Sequence, residues 1–172
     1  MTTFKEFITA LEQNSLFRDW KKNHPLAYPS HFFCLITAQF QAKSSWEVGY
    51  YDPANSKITV FVPIKKEDIS IDFEIKPEDE VFKEEKTEVE ELTLLAAKIS
   101  FEQASELFAQ NKEQYFPKEN LHDGFITLQT INNQLLWNFT FISQSVKFCN
   151  LKLSAQTGEI ISNQTIDLVH KA

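Results

Sequence analysis

The sequence predicts an α+β protein made of two similar modules in tandem, each a helix followed by an antiparallel sheet. Three observations predict it. Two capping-box patterns, Thr3 with Glu6 and Ser100 with Gln103, each open a stripe of apolar residues at helical spacing. Each stripe is followed by about four runs in which apolar and polar residues alternate. A strongly acidic stretch separates the two series.

The first stripe is Phe4, Phe7, Ile8 and Leu11. Leu16, Phe17 and Trp20 extend it past the weak helix formers Asn14 and Ser15, where a bend is expected. His24-Pro25 stops the helix, because the residue before proline disfavours the α region. Strands are expected at residues 32–40, 46–51, 58–64 and 69–75. In the second of these Trp46, Val48 and Tyr50 share the apolar face. Asp52-Pro53-Ala54-Asn55-Ser56 reads as a turn. The second helix carries Phe101, Ala104, Leu107 and Phe108 and ends near Phe116-Pro117. Strands are expected at residues 125–131, 135–142, 146–154 and 159–169, with turns at Asn132-Asn133 and Gln156-Thr157-Gly158. The module boundaries follow: residues 1–77, an acidic connector at 78–91, and residues 92–172.

Composition narrows the function. Of 172 residues only three are glycine, at positions 49, 124 and 158, far apart in the chain. A loop that cradles phosphate needs clustered glycines, so nucleotide-binding loops and nucleotide cofactors are not expected. The formal charge is −7. Residues 1–77 hold nine basic and nine acidic side chains, and residues 92–172 hold six and seven. Residues 78–91 hold eight carboxylates against two lysines, so nearly all of the net charge lies in the connector. No basic run longer than a pair exists, which argues against nucleic acid as a partner. The first twenty residues are broken by charges, and no segment has the ~18 apolar residues of a membrane span. A cytoplasmic protein is expected.

Residues 99–168 resemble a PepSY-type domain. The resemblance is carried by Ile99-Ser100-Phe101-Glu102-Gln103-Ala104 at the helix start and by Leu136-Trp137-Asn138-Phe139-Thr140-Phe141 in a central strand. At the last hairpin it is carried by Leu153-Ser154-Ala155-Gln156-Thr157-Gly158-Glu159-Ile160-Ile161. Ser154 stands where the family usually has aspartate; Ala155, Thr157 and Gly158 fit. In the first half, Tyr51-Asp52-Pro53-Ala54-Asn55-Ser56-Lys57-Ile58 is a more divergent version of the same turn. The resemblance implies a small cystatin-like α+β module, of a kind that binds or inhibits peptidases and often lies outside the cytoplasmic membrane. The chain departs from that pattern in lacking an export signal and a peptidase segment.

No catalytic motif is found. His24, His31 and Cys34 are the one local set of soft ligands, but their spacing suits no zinc site, and His31 and Cys34 fall on opposite faces of a strand. No metal is expected. Cys34 and Cys149 lie among apolar neighbours and read as core thiols. Tyr28, Tyr50 and Tyr51 are the candidate binding cluster, Tyr51 foremost because it faces away from Trp46 and Val48. Non-catalytic binding of a protein or peptide, through a sheet edge or an open sheet face, is therefore the expected function. Two alternatives are a peptidase-inhibitor-like protein and a small enzyme using His31, His122 or a buried carboxylate in a cleft.

Overall fold

A computed structural model describes residues 3–65, 71–76 and 88–168. Within them the chain forms α1 (Phe4–Gln13), α2 (Ser15–Asn23), β1 (Tyr28–Ile36), β2 (Glu47–Asp52), β3 (Lys57–Lys65) and β4 (Ile71–Ile75). After a 3-10 turn at Leu94–Ala96 come α3 (Phe101–Tyr115), β5 (Leu121–Ile131), β6 (Gln134–Ser143), β7 (Lys147–Ser154) and β8 (Ile160–Asp167). The fold is α+β.

Both capping boxes form. The Thr3 hydroxyl accepts the Glu6 N–H while the Glu6 carboxylate accepts the Thr3 N–H, and Ser100 and Gln103 repeat the exchange. The bend expected at Asn14 is a full break. Asn14 is extended (φ −73°, ψ 139°), and its side-chain oxygen accepts the Leu16 N–H to cap a second helix. Its amide nitrogen donates to Asp72 Oδ1 at 2.7 Å, tying the break to β4.

All eight strands lie in one antiparallel sheet of order β4-β3-β2-β1-β5-β6-β7-β8. The two four-strand meanders meet where β1 pairs with β5, from His31 opposite Gln129 to Ile36 opposite Gly124. Period-two alternation fixes which side chains go inward. Phe32, Cys34, Ile36, Val48, Tyr50, Phe61, Ile126, Leu128, Trp137, Phe139 and Phe141 are buried. They join helix residues Leu11, Phe17, Ala104 and Phe108 in one continuous core spanning both halves. The helices cover one face of the sheet, and among the described residues no helix lies on the other, the open face.

The first strand differs from its expected place. It begins at Tyr28 and ends at Ile36, and residues 37–40 turn away. Thr37 drives the turn: its hydroxyl accepts the N–H groups of Gln39 and Gln41, and Phe40 takes φ 61°. Phe40 then folds onto Phe108 and Phe141 instead of continuing the strand. β5 begins at Leu121, four residues before the strand expected at 125–131, so His122 and Asp123 lie inside it at a register shift between Leu121 and Gly124. Residues 78–87 of the acidic connector fall outside the described residues. The rest of it is docked. The Tyr28 hydroxyl donates to Val89 O at 2.6 Å, and the Glu90 carboxylate accepts the N–H groups of Asn132 and Asn133.

Candidate functional site: the open sheet face

The register places three rows of side chains across the uncovered face. One runs Val60, Gly49, His31, Gln129, Leu136 and Ser154. The next runs Glu47, Phe33, Thr127, Asn138, Lys152 and Ser162. The third runs Leu35, Phe125, Thr140, Asn150 and Gln164. Phe33 and Phe125 stack across the β1–β5 junction with ring centroids 5.6 Å apart. Exposed Leu35 lies opposite Phe125 across the same junction, and exposed Ile142 follows Thr140 on this face near the end of β6. Beside the stacked rings lies a network of neutral polar groups. Asn150 donates to Asn138 Oδ1 at 2.7 Å and to Thr140 Oγ1 at 2.8 Å, and Thr127 donates to Gln129 Oε1.

His31 is built into this face. The Ser30 hydroxyl donates to Gly49 O and lies 2.9 Å from His31 Nδ1, which assigns the imidazole proton to Nδ1 and leaves Nε2 as an acceptor. A Cβ on Gly49 would stand 2.3 Å from His31 Cε1, so the ring occupies the space that only glycine leaves free. Burial pulls the His31 pKa from 6.5 to about 4, so the ring is neutral at pH 7.

The three tyrosines separate. Tyr28 and Tyr51 are opposite each other on β1 and β2, with ring centroids 5.7 Å apart, at the end of the open face. Tyr28 also borders a groove of about 530 Å³ against Val89, Glu90 and Asn133. Tyr50 lies on the helix-covered face, 2% exposed, packed by Phe17 and Phe61. It is a core residue and cannot share a surface with the other two. The alternation that puts Val48 inside already puts Tyr50 with it.

Catalytic groups are scattered. Both cysteines are free and buried, and burial raises both thiol pKa values. His122 is exposed at the start of β5. His24 Nδ1 lies 2.8 Å from Asp52 Oδ2, but Trp20 stacks on the ring at 4.6 Å, and the pair fastens α2 to the β2–β3 turn. The bond from His24 and the Ala54 N–H hold the Asp52 carboxyl below its ordinary range. Among the described residues no three His, Cys, Asp or Glu side chains are grouped to hold a metal. No described helix is long and apolar enough to cross a membrane.

Comparison with known proteins finds no matching family model and no matching curated protein. Among solved structures the chain is similar to the crystal structure of a putative lipoprotein from Clostridium difficile 630, at 12% identity. The similarity covers 90% of this chain and 97% of that one, with a TM-score of 0.42.

Proposed function

We propose that the chain is a non-catalytic binding protein that docks a protein or peptide partner on its open sheet face. The observation that carries this reading is the Phe33–Phe125 stack in the middle of a sheet face that no described helix covers, bordered by hydrogen-bonding side chains. An apolar centre with a polar surround is the anatomy of a protein interface. The partner's matching surface is apolar where it meets Phe33 and Phe125 and polar around them, because this face carries amides, hydroxyls and a neutral imidazole, with Glu47 beside Phe33 and Lys152 beside Asn138. Tyr51, Tyr28 and His31 lie at one end of this face, in reach of the same partner. Inhibition of a peptidase is a special case of this reading.

The same reading takes the chain as two PepSY-like, cystatin-like modules in tandem. Three features at near-constant offset support it. His24 and Phe116 each end a helix with φ −130° and ψ 57° and each precede a proline, an offset of 92. Phe33 and Phe125 share that offset and stack at the junction. Trp46 and Trp137, offset by 91, lie 6.0 Å apart. We also place the protein in the cytoplasm, where two unpaired buried thiols fit a reducing environment.

The test is capture from native lysate followed by titration of the purified partner against three chains: wild type, Phe33→Ser/Phe125→Ser, and Lys112→Ser on the opposite side as a control. Loss of at least tenfold in affinity in the double variant alone supports the reading. Equal binding by all three chains, or turnover of a substrate with no partner found, overturns it.

A further inference from the structure

On the other side of the sheet lies a cleft of about 910 Å³ between the N-terminal ends of α1 and α3. Its floor is a cluster of four aromatic rings. Trp46 meets Phe4 edge-on at 4.9 Å and Phe101 edge-on at 5.5 Å, and Trp137 lies 6.0 Å from it. The indole N–H of Trp137 is already spent on Ile99 O at 2.9 Å, so the floor offers apolar surface and no free donor from that ring. One wall is Leu94, Ala97 and Ile99 from the segment entering α3. Phe4, Trp46 and Phe101 remain partly exposed to the cleft. A volume of this size and lining is that of a small-molecule site.

The charges at the mouth are mostly positive. Lys5, Lys65 and Lys98 border it, with Glu102 as the one carboxylate among its lining residues. None of the three ammonium groups takes part in an ion pair among the described residues. Glu6, the nearest acid in α1, is turned back onto the Thr3 N–H. The described lining residues of the apolar cleft thus carry three positive charges against one negative, on a chain whose overall charge is −7.

We infer that this cleft binds a small amphiphile with an apolar body and a single carboxylate head, of the fatty-acid class. The hydrocarbon lies on the aromatic floor, where it removes apolar surface from water. The carboxylate stays at the mouth among the lysines, where both helix N-termini add to the attraction. This site is independent of the open-face reading, since the sheet separates the two.

The test uses the full chain and dodecanoate below its micelle concentration, with dodecanol and dodecyltrimethylammonium as matched probes. Saturable binding of one dodecanoate per chain is expected, with amide shifts centred on Lys5, Trp46 and residues 97–102. Dodecanol should bind at least tenfold more weakly and the cationic probe more weakly still. Lys5→Gln/Lys98→Gln should lower dodecanoate affinity about tenfold and leave dodecanol unchanged, and both positions are on the surface, so folding is retained. Ala97→Phe, which fills the mouth, should weaken all probes. No saturable binding, equal binding of all three probes, or shifts outside the cleft would overturn the proposal. So would a cleft occupied only by a side chain of a bound protein.

Discussion

Gly49 and His31 make one unit on the open face. Gly49→Ala places a methyl group against the imidazole, and the ring or strand β2 must move. Overpacking of this kind costs about 1–3 kcal/mol, to be read as a lower urea midpoint with unchanged slope. The neutral His31 adds a pH dependence. Its folded pKa of about 4 lies below the ordinary 6.5, so the unfolded chain takes up the proton first as pH falls. Stability contributed by this residue is complete above about pH 6.5, declines toward pH 4 and is level below. The expected decline is about 3 kcal/mol, and urea titrations across that window should show it in the wild type and not in His31→Gln. None of this was visible in the sequence. His31 and Gly49 are eighteen residues apart, and only the register of β1 on β2 makes them neighbours. By contrast, the burial of Cys34 and Cys149 was legible, because each sits in an alternating apolar run.

Local signals specified the elements well where the chemistry is local. Thr3 with Glu6 and Ser100 with Gln103 gave both capped helix starts, and Asn132-Asn133 gave a hairpin turn with both residues at positive φ (50° and 60°). Asn14 is more informative than its weak helix propensity implied, since it both caps α2 and reaches Asp72. Asn14→Ala should therefore cost more than an ordinary cap, about 2 kcal/mol against the usual ~1. Ser100→Ala serves as the reference, at about 1 kcal/mol, and paired thermal melts would rank them. Strand β1 was misplaced because Phe40 and Ala38 continue the period-two pattern of Phe32, Cys34 and Ile36. Periodicity has no means of registering that the Thr37 hydroxyl captures two backbone N–H groups and turns the chain.

At the scale of the molecule, the sequence marks two series of elements and an acidic joint between them but not how the halves meet; β1 pairs with β5 and a single core runs through both halves. Pairing between strands some ninety residues apart leaves no local trace in either. Residues 92–172 alone would expose the β5 edge and strip Phe4, Phe40 and Trp46 from Trp137 and Phe108. That fragment is expected to be aggregated or dimeric through β5, where size exclusion and circular dichroism should find no folded monomer. The open face follows from the same architecture. Among the described residues, eight strands in one sheet with the helices on one side leave a broad surface whose centre, Phe33 against Phe125, exists only because the halves are joined. Titration of a purified partner against Phe33→Ser/Phe125→Ser tests this most directly. A folded double variant with affinity lowered at least tenfold is expected, with Lys112→Ser binding like wild type; unchanged affinity in the double variant would contradict docking on this face.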